Sequence, residues 1–131
     1  MKYLLYLSTA LVTGCISTTP VKPINARITY YNSHEDRYGS KIAWHDGQAR
    51  EGVTVAAHPD FNFGTEIEIP ELKGQFGDAK FIVEDRGKAV TSKKASRGKT
   101  YVFDVYVNRS HKQMQKLAMN LPPYMDVFIK Q

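Results

Sequence analysis

The chain has 131 residues, 18 Lys and Arg against 13 Asp and Glu, and one cysteine, for a formal net charge of +5. A single cysteine excludes an intramolecular disulfide, and the length allows one small core rather than two. The basic balance favours an anionic partner, but no element joins a basic stripe to interleaved aromatics, so nucleic acid is not the partner expected.

The first fourteen residues, MKYLLYLSTALVTG, carry one charge at Lys2 before an apolar run from Tyr3 to Val12. The run is shorter than the roughly 20 apolar residues that span a bilayer and reads as a signal peptide over residues 1–14. Val12-Thr13-Gly14-Cys15 resembles the bacterial lipobox, whose cysteine is acylated and becomes the first residue of the mature chain. That resemblance implies a lipid anchor on Cys15, stable because it supplies more than one acyl chain. It also implies a place in the cell envelope, on the outer membrane facing the periplasm if the host has two membranes. Residues 15–26 are short, polar and Pro-containing, and read as a tether from lipid to domain.

Residues 27–131 read as one mainly β domain. Arg27–Tyr31, Val53–Ala57, Thr65–Ile69, Lys80–Glu84, Tyr101–Val107 and Tyr124–Ile129 are short runs rich in β-branched and aromatic residues, punctuated by Gly, Pro, Asn and Asp. One helix is predicted from Ser110 to Met119, capped by Ser110, with Met114, Leu117 and Ala118 as its apolar stripe and Pro122-Pro123 beyond its end. Six short strands with one or two short helices predict a small closed barrel, because closure removes exposed strand edges.

Three polar residues stand where strands should be apolar. Asp85 ends the run Phe81-Ile82-Val83-Glu84-Asp85, and His58 follows Val53–Ala57 directly. Asp104 lies inside Tyr101–Val107, where alternation sets it with Val102 and Tyr106, opposite Phe103 and Val105. Each has a bland reading: a turn cap, a solvent-facing acid, a loop histidine. Together, two acids and a histidine at strand ends are the material of an acid/base site. His34, Glu35, Asp36, His45 and Asp46 are potential metal ligands, but no HExxH or CxxC spacing occurs, and no metal or other cofactor is expected.

The order of pieces carries a resemblance. Ala56-Ala57-His58-Pro59, then Phe63-Gly64-Thr65, then Val83-Glu84-Asp85-Arg86-Gly87, then Phe103-Asp104-Val105 and a helix resemble double-psi β-barrel domains. The groups most similar are the rare lipoprotein A-like domains and the 3D (three-aspartate) domains of membrane-bound lytic transglycosylase A type. Such domains cleave peptidoglycan without water and leave a 1,6-anhydro end on the muramic acid. The resemblance implies Asp85 as the acid of the first pattern with His58 as its partner, and Asp104 as the acid of the second; the two remain open alternatives. The chain departs from both patterns at points. His58 replaces the first aspartate of the 3D pattern, Lys88 replaces a proline, and Gly47-Gln48 stands near the usual Gly-Glu. The alternative implied by these departures is a catalytically silent envelope lipoprotein that binds peptidoglycan or a partner protein.

A non-hydrolytic cleavage needs one carboxylic acid rather than the pair common in hydrolysis, protonated at working pH through burial or a neighbouring carboxylate. The basic loop with Lys93, Lys94 and Arg97 is expected to hold an anionic glycan or peptide carboxylate, and Tyr30, Tyr31 and Trp44 are expected to stack on sugar rings, with core or rim packing as their plainer role. The domain is expected to be a monomer.

Overall fold

The computed structural model describes residue 14 and residues 21–33 and 39–130. The signal peptide up to Thr13, Cys15 and the metal-ligand candidates His34, Glu35 and Asp36 lie outside the described residues. No helix among the described residues is long and apolar enough to cross a membrane.

Six strands close into a barrel: β1 (Ile24–Tyr31), β2 (Thr54–Ala56), β3 (Glu66–Glu68), β4 (Lys80–Asp85), β5 (Val102–Tyr106) and β6 (Tyr124–Ile129). Around the barrel the order is β1-β5-β2-β4-β3-β6. Two neighbour pairs, β1 with β5 and β2 with β4, are parallel, and the other four are antiparallel. This mixed, closed topology is compatible with the double-psi arrangement. All six strands fall where the sequence places them, with ends shifted by up to three residues. The largest shift is at β1. Ile24, Asn25 and Ala26, expected in the tether, pair with Val127, Asp126 and Met125 of β6. Ala26 is fully buried, so the barrel cannot close without this stretch.

Alternation sorts the side chains. Ala26 and Ile28 of β1, Val55 of β2, Ile67 of β3, Phe81 and Val83 of β4, Phe103 and Val105 of β5, and Met125 and Val127 of β6 fill one core. Helix α2 (His111–Asn120) closes one side of it with Met114 and Leu117. Ala118, the third member of the expected stripe, is exposed, and Leu121 packs on the core instead, one helical turn past Leu117. Ser110 caps α2 through a reciprocal capping box with Gln113.

The sequence reading does not anticipate a cover on the outer face of β1, β5 and β2. There the four-residue helix α1 (Lys88–Thr91) and a 3₁₀ turn (Lys94–Ser96) set Val90 and Ala95 on Ala56, Val102 and Tyr31. The basic loop is therefore partly folded onto the barrel.

One irregularity places the polar residues. Strict alternation along β4 would turn Asp85 inward with Phe81 and Val83. The β2–β4 register instead shifts between Val55, paired with Val83, and Ala56, paired with Asp85. The skipped Glu84 is the extra residue of a bulge, and Asp85 comes out beside Ala56 on the outer face.

Two substitutions separate core from cap. Phe81→Ala empties a fully buried aromatic site and is expected to cost about 3–5 kcal/mol, whereas Ser110→Ala costs about 1 kcal/mol. Urea unfolding measures both; equal losses would contradict the packing described.

Candidate active site

Asp85 and Asp104 flank β2. Ala56 pairs with Asp104 of β5 on one side and with Asp85 of β4 on the other. The two acids are thus two strand spacings apart, roughly 10 Å between Cα atoms, and both face outward. Tyr31, on β1 at the far side of β5, reaches across to Asp85. Its hydroxyl donates to Asp85 Oδ2 at 2.8 Å, and the charges of both Asp85 and Asp104 act on it. Asp104 Oδ1 accepts from the Thr29 hydroxyl at 2.8 Å. Thr29 and Tyr31 are register partners of Asp104 and Tyr106 on β5, so one β1 face supplies the donors for both acids.

The environments of the acids differ. Asp85 is 7 % exposed. Besides Tyr31, it accepts from the backbone N–H groups of Ala43 at 3.0 Å and Arg86 at 2.9 Å, both on Oδ1. It therefore holds the 39–50 loop against the barrel. Asp104 is half-buried and is the more accessible acid.

The 39–50 loop forms one wall. Ser40 and Gln48 pair side chain to side chain, and Lys41 and Gln48 form a β-bridge. The Trp44 N–H donates to the Glu84 carbonyl at 2.9 Å, and the indole stacks on Phe63 with ring centres 6.3 Å apart. Gly64 lies beneath, at φ +86° and with room for a Cβ only 3.3 Å from the indole, so both conformation and close approach require glycine there. Glu84, 5 % exposed, is satisfied by the Thr54 hydroxyl at 2.7 Å and Arg50 at 3.2 Å. Arg86 lies over the Phe63 ring at 4.0 Å and donates to the carbonyls of Ala57, Asp85 and Phe61.

His58 is not brought to either acid. Its Nδ1 accepts from the Asp60 N–H at 3.1 Å and lies 3.3 Å from Asp60 Oδ1, and its ring stands edge-on to Tyr101 at 5.6 Å. The Tyr101 hydroxyl donates to Asp60 Oδ2 at 2.5 Å. That bond, with the charges of His58 and Lys93, holds the Asp60 carboxyl below its ordinary range.

The other expected binding residues disperse. Tyr30 faces inward, packed on the core and stacked on Phe76 at 6.4 Å. Lys93 turns to Tyr101, with Nζ 4.3 Å from the ring centre. Lys94 lines a shallow concavity with Arg86, Gly87, Lys88, Thr91 and Ser92. Arg97 points elsewhere, beside Arg27 and Lys99. Among the described residues no three of His, Cys, Asp and Glu gather as metal ligands; His45 and Asp46 are exposed in the 39–50 loop.

Thr29 as a donor to Asp104, and Tyr31 as a donor rather than a sugar platform, were not legible as site residues. A signal existed: Arg27, Thr29 and Tyr31 alternate with Ala26, Ile28 and Tyr30, marking a polar outer face on β1.

The hub phenol has a measurable signature. Burial first, then the charge of Asp85 and the hydrogen bond to it, then the charge of Asp104, push the Tyr31 hydroxyl far above its ordinary range. Burial and the charge of Glu71 push Tyr30 up to about 12. Both folded values exceed the unfolded one, so above pH 10 the folded chain holds more protons than the unfolded chain. Stability is therefore full below about pH 10 and falls as pH rises through the alkaline range. Urea unfolding across that range should show the decline, and Tyr31→Phe should flatten it; an unchanged slope in that variant would remove Tyr31 from the hub.

Comparison with protein-family models, curated proteins and solved structures finds no match to this chain.

Proposed function

We propose that this chain is a peptidoglycan lytic transglycosylase of the rare lipoprotein A-like or 3D type. The observation that carries the reading is that Asp85 and Asp104 flank a single residue of β2, each held by a hydroxyl of β1, on an outer face walled by the 39–50 loop. A glycan strand is long and must lie along a surface; with Ala56, Val102 and Tyr31 covered by Val90 and Ala95, the half-buried Asp104 is the acid of this face that a strand can reach.

In the reaction, Asp104, the accessible acid, gives its proton to the oxygen of the β-1,4 bond between N-acetylmuramic acid and N-acetylglucosamine. The C6 hydroxyl of the muramic acid attacks its own C1, the bond to the leaving oxygen breaks, and the hydroxyl proton passes to the Asp104 carboxylate. The acid is restored, no water is consumed, and the product carries a 1,6-anhydro ring. Thr29 fixes the carboxyl rotamer through Oδ1. Tyr31 keeps its own proton, and so it remains a donor to Asp85 instead of competing as an acid. Asp85 in turn positions Tyr31 and the wall of the groove through its three donors.

One observation favours the second reading, glycan binding without cleavage. His58 is engaged by Asp60 and Tyr101, so the Asp85–His58 pair of the rare lipoprotein A-like pattern is not formed. Digestion of purified glycan strands separates the readings: release of anhydro-muropeptides supports the first, and capture of strands without release supports the second.

Asp104→Asn is expected to lower release by about 10²–10⁴-fold, the usual worth of a general acid, with unfolding little changed because the amide is nearly isosteric. Asp85→Asn should lower release less than Asp104→Asn, because the Tyr31 hydroxyl can rotate to accept from the new amide and the positioning contacts are largely kept. Wild-type rates in both variants would place the chemistry elsewhere. For the proposed lipid anchor, Cys15→Ser is expected to move the protein from the membrane to the soluble fraction, and full membrane retention would refute it.

A further inference from the structure

The outer face of β1 continues past the carboxylates. Arg27, Thr29 and Tyr31 alternate along it, so the Cα of Arg27 lies roughly 7 Å from that of Thr29. Arg27 is paired with Val102 of β5 and Tyr124 of β6, and its guanidinium lies 5.5 Å from the centre of the Tyr124 ring. Its Nε is buried with no hydrogen-bond partner, an arrangement that folded proteins normally avoid because a buried charged donor needs an acceptor. A concavity of about 240 Å³ opens at this point, lined by Arg27, Ala95, Ser96, Arg97, Lys99 and Tyr124.

Three cations therefore edge one small hollow. The ion pairs among the described residues engage Arg50, His58, Lys73, Arg109 and Lys130, and leave Arg27, Arg97 and Lys99 without a carboxylate. The loop carrying two of them is tied down. Ser96 is 2 % exposed, and its hydroxyl donates to the Thr100 carbonyl at 2.7 Å. The Thr100 hydroxyl donates to the Asn25 carbonyl at 2.8 Å, two residues from Arg27. Lys93 and Arg97, at φ 53° and 55°, bracket the 3₁₀ turn in the left-handed region, which residues with a side chain hold only where their surroundings impose it. The like charges are thus held at one hollow by a structured loop, although separation in solvent would cost less.

We infer that Arg27, Arg97 and Lys99 bind a single oxyanion, a carboxylate or phosphate group carried by the glycan that lies over Thr29 and Asp104. The inference rests on the glycan reading of that face. A guanidinium that lacks an acceptor, at a hollow it shares with a second guanidinium and an ammonium, suits an oxygen-rich anion. Along β1, Arg27 is the outward-facing residue next to Thr29, which holds Asp104. The site would make anionic decoration of the strand the feature that sets register and selects substrate.

Isotope-labelled protein titrated with inorganic phosphate and with acetate tests the site directly. Saturable shifts are expected at the Arg27 Nε–H, at Ser96 and at Tyr124. Arg97→Gln and Lys99→Gln, both at exposed positions, should each weaken binding by about tenfold. No saturable shift, or unchanged affinity in both variants, overturns the proposal. Binding of three glycan preparations then identifies the source of the anion. Tighter binding of strands with intact peptide stems, lost in Arg97→Gln, assigns a carboxylate; tighter binding of phosphate-bearing strands, lost likewise, assigns a phosphate. Equal binding of both and of stripped strands, indifferent to Arg97→Gln, overturns it. Neither assay reads cleavage, so a protein that binds as expected yet releases no anhydro product would end the catalytic reading and leave this site standing.

Discussion

Closure of a six-stranded barrel is the constraint from which the rest follows. Every strand has a hydrogen-bonded neighbour on both sides, so backbone polarity is satisfied without an exposed edge. Even eight strands leave an interior only wide enough for side chains, and here six strands fill theirs with Ile28, Ile67, Phe81, Phe103, Met125 and their neighbours. No room remains inside for a ligand. Whatever this protein binds must lie on the outer surface, and the polar residues that alternate with the core set the chemistry available there.

On that surface the bulge between β2 and β4 has the largest local effect. It turns Asp85 from the inward phase to the outward one and sets it level with Ala56 and Asp104. The acid is then buried by the 39–50 loop, whose Ala43 N–H it accepts, and by Tyr31. A phenol bonded to one carboxylate, under the charge of a second and largely removed from water, stays neutral. That neutrality lets it act as a fixed donor, where an ionised phenol would repel both acids.

The division of labour between the acids has the same origin. Asp85 has three donors and little exposure, which suits a residue that organises the groove. Asp104 retains more exposure and is held by Thr29, which suits a residue that meets a ligand. The basic loop is divided in a comparable way. Lys93 serves the Asp60–Tyr101–His58 cluster, Lys94 faces the α1 side, and Arg97 joins Arg27 and Lys99. Its short 3₁₀ turn sends side chains in different directions, where a flexible loop would have let them gather on one anion.

The sequence by itself determined the number and place of the strands, the capped helix and the barrel, because these depend on local periods: two for strands, 3.6 for α2, and punctuation by Gly, Pro and Asn. It also determined that Asp104 faces away from the core, since its neighbours Phe103 and Val105 are strongly apolar. Only the tertiary structure decided that Asp85 joins it, because a bulge is a property of two strands and not of one. The alternation of β1 sets Tyr30 and Tyr31 on opposite faces, but only the tertiary structure brought Tyr31 to Asp85, sent His58 to Asp60, and brought Arg27 within reach of Arg97. Those partners lie 54, 2 and about 70 residues apart, for Tyr31–Asp85, His58–Asp60 and Arg27–Arg97. The near pair was missed as surely as the distant ones, because adjacency in the chain does not say which way a ring will turn. That direction is set by what the neighbouring strand presents, and for His58 it is Tyr101 of the segment entering β5.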